Sequence, residues 1–197
     1  MNLALFDFDG TITHKAMFGD FIRFAVSRRR RLLAAPVFGP MLLGYKLGVV
    51  SGNTIRARVV NFGLRGMPAD HANEMGQRFS REILPTVLRP MALERIRWHR
   101  EQGDRVVVVS GALNVYLQHW CHEQGLELIC SRLEVVAGKL TGRYDGLQCV
   151  GAEKSRRVRE ACELRHFPLV YAYGDTEEDL DMLGMAHKKY YRWREVA

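Results

Sequence analysis

Four consecutive valines, in the run Arg105-Val-Val-Val-Val-Ser110 followed by Gly111, constrain this chain more than any other segment in it. β-Branched side chains favour extended backbone, and an unbroken apolar run leaves no face for water. The segment therefore predicts a central parallel strand buried on both sides. Parallel strands need crossover connections, so the expected fold is α/β, a Rossmann-like parallel sheet. Leu3 to Phe8, Glu127 to Ser131 and Leu169 to Tyr173 give further strand signals, with His187 to Trp193 as a candidate edge strand. Helical patterns span Pro90 to Gln102, stopped by Gly103, Asn114 to Gln124, stopped by Gly125, and Glu153 to Arg165. Arg132 to Gly146 alternates between glycine-containing turns and reads as a small β-hairpin excursion.

The stretch from about His14 to Leu88 contains no convincing strand and reads as helical throughout. It sits between the first two strands. The expected organisation is a catalytic core of residues 1–13 and 89–197, with residues 14–88 as a helical cap. Such a cap lies over the carboxyl ends of the strands, where open α/β sheets bind ligands. There is no internal repeat.

With 47% apolar and 26% charged residues the chain has the balance of a folded protein with a real core. Its formal charge of +7 favours anionic partners. Basic runs such as Arg28 to Arg31 and Lys188 to Arg194 suit solvated helix faces and chain ends. No nucleic-acid motif accompanies them, so no nucleic-acid partner is expected. The four cysteines lack metal-ligand spacing, which suits reduced thiols. The opening MNLALFDFDGT puts acids where a secretory signal needs basic and cleavable apolar regions, so a cytoplasmic location is expected.

The chemistry concentrates at the predicted strand ends. Asp7-Phe8-Asp9-Gly10-Thr11 follows the first strand, and Ser110 ends the second. Lys154 opens a later helix, and Gly174-Asp175-Thr176-Glu177-Glu178-Asp179 follows the fourth strand. Taken singly each is a weak signal; in this order they are specific. A carboxylate can be a nucleophile toward phosphorus. A neighbouring carboxyl can protonate the leaving oxygen and then deprotonate water. Further carboxylates suit Mg²⁺, while a hydroxyl and an ammonium neutralise phosphoryl oxygens.

These residues resemble the haloacid dehalogenase (HAD) superfamily, in its phosphoserine-phosphatase-like subfamily IB, over nearly the whole chain. The resemblance implies a Mg²⁺-dependent phosphatase working through an aspartyl phosphate. It casts Asp7 as nucleophile, Asp9 as general acid/base, Ser110 as the phosphate-binding serine of the second motif and Lys154 as the third-motif lysine. Asp175 is similar to the family's Mg²⁺ ligand, and Asp179 to the acid supporting the metal site. The metal set implied is Asp7, Asp9 (through its backbone carbonyl), Asp175 and Asp179. Substrate-binding positions are Gly10, Thr11, Ser110 and Gly111. Two departures bear on substrate: Ala16 stands where phosphoserine phosphatases carry an amino-acid-binding glutamate, and Glu178 where an asparagine is usual.

In the insertion, Arg28-Arg-Arg-Arg31 runs into the apolar stretch Leu32 to Tyr45, followed by Lys46 and Leu-Gly-Val-Val. Pro36, Pro40 and Lys46 break it too often for a spanning helix. A basic cluster beside an apolar stretch suits an interfacial element on anionic lipid, and equally the buried face of a cap. Phe18-Gly-Asp-Phe-Ile-Arg-Phe24, this insertion and Tyr191-Arg-Trp-Arg194 are similar to the phosphatidylglycerophosphatase C branch of the subfamily. The substrate expected is therefore a lipid phosphate such as phosphatidylglycerophosphate. Residues Arg28 to Val50 would meet an anionic membrane surface at its cytoplasmic face. The alternatives are a soluble phosphatase of a small phosphorylated metabolite and a non-catalytic phosphate-binding module.

Overall fold

The first strand, β1 (Leu3–Phe6), is completely buried and forms the middle of the sheet. It is followed by four helices, α1 (Phe18–Ala25), α2 (Arg28–Lys46), α3 (Gly52–Leu64) and α4 (Ala69–Glu82). Then come α5 (Pro90–Glu101), β2 (Arg105–Leu113), α6 (Asn114–Gln124), β3 (Glu127–Ser131) and the hairpin β4 (Leu133–Val136) and β5 (Lys139–Tyr144). The chain ends with α7 (Ala152–Ala161), β6 (Val170–Gly174), α8 (Leu180–Leu183), β7 (Lys188–Tyr191) and β8 (Arg194–Val196). This computed structural model describes the backbone of residues 1–197 and all side chains except those of Ala35, Val37, Leu42, Tyr45 and Lys46.

The six-stranded sheet has the order β3-β2-β1-β6-β7-β8, parallel except for β8. Strand periodicity of two assigns its residues to opposite faces. Ala4, Phe6, Val106 and Val108 join the cluster that includes α5 and α6 residues, whereas Leu3, Leu5, Val107 and Val109 pack with Val158, Met182 and Leu183 of α7 and α8. The valine run is thus covered on both faces, and burying each such side chain stabilises the fold by about 1.5–3 kcal/mol.

Register fixes the functional edge. Phe6 pairs with Val108 on one side and Tyr173 on the other, so Asp7, Ser110 and Gly174-Asp175 emerge at one edge. Residues between β1 and β2 are helical apart from short connections, and the buried apolar side chains described in α1, α3 and α4 belong to the same cluster as those of α5 and α6. Phe21 and Phe79 from the insertion meet Tyr116 of α6 with ring centroids 5.0 and 5.3 Å away. Helices α1 and α4 are therefore welded to the core. In contrast, α2 packs on α3, and α3 on β5.

Several boundaries differ from the sequence expectation. β1 stops at Phe6 because Asp7 begins the turn around the site, and β2 continues to Leu113 with a register irregularity between Ser110 and Leu113. Helix α7 ends at Ala161; Cys162 turns extended and enters the core, and Leu164–His166 forms a 3₁₀ turn instead. The edge expected from His187 to Trp193 is a hairpin, turning at Arg192 and Trp193, both with positive φ (51° and 64°). That unfavourable conformation is held by the indole N–H of Trp193, which donates to the Thr11 carbonyl at 3.2 Å.

Candidate active site

Asp7 leaves the end of β1 with its N–H on the Tyr173 carbonyl (2.9 Å), which fixes the acid at the sheet rim. The next five residues turn sharply, with Gly10 at φ 92°. A Cβ at Gly10 would collide with the Asp175 carboxylate, so a glycine is needed for the two acidic loops to meet. Two donors brace the turn: Arg89 Nε donates to the Gly10 and Thr13 carbonyls (3.2 and 3.1 Å), and Trp193 to Thr11.

Lys154, in the first turn of α7, sends its ammonium to Asp7 Oδ1 at 2.5 Å and Asp179 Oδ1 at 2.6 Å, all three side chains being buried. Asp179 Oδ2 accepts from the amides of Asp175 and Thr176 and from the Thr176 hydroxyl. Both oxygens of Asp179 are engaged, so it shapes the Asp175 loop and pins Lys154. Thr11 donates to Asp175 Oδ1 at 3.1 Å. Thr11 and Gly10, expected to contact substrate, do not line the cavity; they hold Asp175 in place.

The cavity at this edge has a volume of about 560 Å³ and is lined by Asp7, Asp9, Ser110, Gly111 and Lys154 at its base. Ala16, Arg56, Thr176, Glu177, Glu178, Tyr191 and Arg192 complete its wall. The site residues expected from sequence at Asp7, Asp9, Ser110, Gly111 and Lys154 thus share one pocket, with Asp175 and Asp179 against it. Ser110 Oγ accepts from the Ala112 amide (3.1 Å) where β2 becomes irregular. Asp9 Oδ1 accepts from the Met17 amide at 3.0 Å, which ties the acid to the entry of the insertion.

Electrostatics distinguish the acids. Burial pushes the Asp7 carboxyl well above its usual range, against the opposing pull of Lys154. Burial would lower the Lys154 ammonium, but Asp7 and Asp179 outweigh it and hold the group protonated. Asp9 is raised to about 6, chiefly by burial, which suits a group that gives and takes a proton near neutrality. Burial also raises Asp175.

Carboxylate oxygens of Asp7, Asp175 and Asp179 lie within 4.8 Å of one another. Three carboxylates against one ammonium leave two negative charges uncompensated, and every donor is a hard oxygen. The donor set fits a divalent cation such as Mg²⁺.

Arg56, Arg89, Arg192 and Trp193 were not singled out as site residues from the sequence. A lone arginine carries no positional signal in a sequence; the docking of α3 brings in Arg56, the entry to α5 brings in Arg89 and the turn of the terminal hairpin brings in Arg192 and Trp193.

The family model described as haloacid dehalogenase-like hydrolase matches residues 4–184. Protein CicA of Caulobacter vibrioides is 31% identical over 194 residues, covering 96% of this chain and 85% of that protein. A phosphoserine phosphatase of Streptomyces coelicolor is 36% identical over 102 residues, 50% of this chain and 25% of its own length. Among solved structures, a phospho-aspartyl intermediate analogue of phosphoserine phosphatase superposes with a TM-score of 0.66 at 23% identity, covering 96% of this chain and 85% of that one.

Proposed function

The chain belongs to the haloacid dehalogenase-like hydrolase family, and from that premise we propose that it is a Mg²⁺-dependent phosphomonoesterase acting through an aspartyl phosphate on Asp7. The observation that carries this reading is the convergence of the Asp7, Asp175 and Asp179 carboxylates within 4.8 Å of one another, with the buried Lys154 ammonium on Asp7 and Asp179. Core residues 1–13 and 89–197 supply the chemistry in this reading, and residues 14–88 act as the cap that bounds the substrate.

In the proposed reaction Asp7 attacks phosphorus through the carboxylate oxygen that Lys154 does not hold, and the bond from phosphorus to the alcohol oxygen breaks. Asp9 gives its proton to that oxygen. With Asp9 now ionised, it takes a proton from water as the water attacks the aspartyl phosphate, which frees Asp7 and inorganic phosphate. Ser110 and the backbone at Gly111 bind phosphoryl oxygens, and Lys154 offsets their charge. Asp7 and Asp175, with the Asp9 carbonyl, would hold Mg²⁺ while Asp179 orders the loop behind; the bound ion supplies positive charge to the phosphoryl group.

The proposed substrate is a lipid phosphate at an anionic membrane face. Its support is α2, which packs on α3, the helix that sends Arg56 into the cavity. Leu32, Leu33 and Leu43 are exposed by 64%, 73% and 60%. Every described exposed residue from Leu32 to Leu43 is leucine, proline or glycine. At 3.6 residues per turn Leu32, Leu33, Pro36, Pro40 and Leu43 share an arc of roughly 100°. The arginines at the start of α2 complement anionic headgroups. No helix among the described residues is long and apolar enough to cross a membrane, so contact would be at the surface.

The test is hydrolysis of phosphatidylglycerophosphate in detergent and of water-soluble monoesters by the purified protein, with Mg²⁺ and with excess chelator. Wild-type protein should release phosphate only with the metal, and Asp7→Asn should lose at least about 10³-fold in kcat. Appreciable turnover by Asp7→Asn would remove Asp7 as nucleophile. Equal or better hydrolysis of soluble esters would favour a small metabolite over the lipid.

A further inference from the structure

The mouth of the cavity has a charge arrangement unlike its base. Arg56, from the first turns of α3, donates through Nη2 to Glu178 Oε1 at 3.0 Å and Asn53 Oδ1 at 2.6 Å, and through Nε to Gln148 Oε1 at 3.2 Å. Glu178 belongs to the loop after β6, so this ion pair joins cap to core across the opening. Gln148 also donates to the Asn53 carbonyl (2.9 Å), closing the same seam. Both charged partners keep access to the cavity, with Arg56 24% and Glu178 46% exposed. The other charges on this rim, Arg192 and Glu177, cancel each other, and Ala16 is apolar. The rim is therefore neutral before a substrate enters, and its cap-borne cation is already paired.

We infer that Glu178 is a specificity-determining residue: by holding Arg56 it neutralises the mouth of the site and favours phosphomonoesters whose alcohol carries no charged group on the two carbons nearest the ester oxygen, as in glycerol phosphates, over those of amino alcohols and hydroxy acids. An alcohol bearing a carboxylate must displace Glu178 from Arg56 or lie beside it, and either is unfavourable. One bearing an ammonium meets Arg56. Such discrimination works through the unfavourable contact as much as through the favourable one. The inference rests on the phosphomonoesterase reading and narrows its substrate class.

The experiment compares kcat and KM for sn-glycerol 3-phosphate, O-phosphoserine and O-phosphoethanolamine in wild type, Glu178→Gln and Glu178→Asp, with p-nitrophenyl phosphate as the reference ester. Wild type should prefer glycerol phosphate to phosphoserine in kcat/KM. Glu178→Gln should reduce that preference roughly two- to fivefold, the range for a partly exposed charge pair, mainly through a lower KM for phosphoserine. Glu178→Asp should keep most of the preference. A wild type that favours phosphoserine, or a preference unmoved in Glu178→Gln, overturns the role of Glu178 while leaving the phosphatase intact. No hydrolysis of any ester, including the reference, overturns the phosphatase reading and this inference with it.

Discussion

His99 lies on the α5 side of the sheet with Nδ1 2.8 Å from Asp104 Oδ2 and Nε2 2.9 Å from the Tyr173 hydroxyl, all within the core. Asp104 also accepts from the Asn2 amide at 2.9 Å, so this network ties the start of β1 to β6 beneath the acidic loops. A neutral ring satisfies both contacts by donating to Asp104 and accepting from Tyr173. Burial lowers the His99 pKa despite the opposing influence of Asp104. Below the ordinary histidine value of about 6.5, the unfolded chain takes up a proton that the native state resists. The stability this group contributes is therefore present above that pH and lost as pH falls through it. Urea midpoints should drop between pH 7.5 and 5.5 in wild type, with a smaller drop in His99→Gln. Parallel pH dependence in the two proteins would show that His99 contributes none of it.

At the level of elements, the contact of α4 with α6 decides whether the insertion is a loose lid or part of the core. Gly76 lies where a Cβ would overlap the Val115 carbonyl oxygen, a backbone atom that cannot swing aside. Close approach of these helices lets Phe79 reach Phe21 and Tyr116 at centroid distances of 5.4 and 5.3 Å. Gly76→Ala should therefore destabilise the protein by about 3 kcal/mol or more, although alanine has the better helix propensity. Chemical denaturation measures this directly, and an unchanged midpoint would mean the helices sit farther apart. The terminal hairpin acts at the same scale. Tyr173 stacks between Phe6 and Tyr190 at 4.2 and 4.7 Å; Phe6 directly precedes Asp7, and Tyr173 lies one residue before Gly174-Asp175. The ladder of rings sets the height at which the loops leave the sheet.

For the whole molecule, the proposed lipid substrate requires the outer face of α2 and the net charge of +7 to act together at a membrane surface. Apolar area supplies attraction to an interface, and basic residues add about 1 kcal/mol each near an anionic surface. The protein should co-sediment with vesicles containing phosphatidylglycerol at low salt and much less with purely zwitterionic vesicles. Replacing Leu32, Leu33 and Leu43 together by serine should weaken the binding at least tenfold. These side chains are exposed, so such a variant keeps its core. Vesicle binding that ignores both lipid charge and these substitutions would remove the membrane from the proposed function, leaving the cavity chemistry unaffected.

The sequence by itself determined the α/β class, the helical character of the stretch between β1 and β2 and the order of acids, hydroxyl and ammonium along the chain. Those features follow from local rules: side-chain branching, apolar period and the residues that end strands. Asp7, Ser110, Lys154 and Asp175 were legible because each sits at the carboxyl end of a strand or the start of a helix, and parallel register brings such ends to one edge. Tertiary structure alone decided that Thr11 spends its hydroxyl on Asp175, that Trp193 closes over the first loop and that Arg56 meets Glu178 across the opening. These contacts join residues 164, 182 and 122 positions apart, and a local pattern cannot encode them. They depend on how α3 docks and where the last hairpin turns, which is set by the packing of the whole chain.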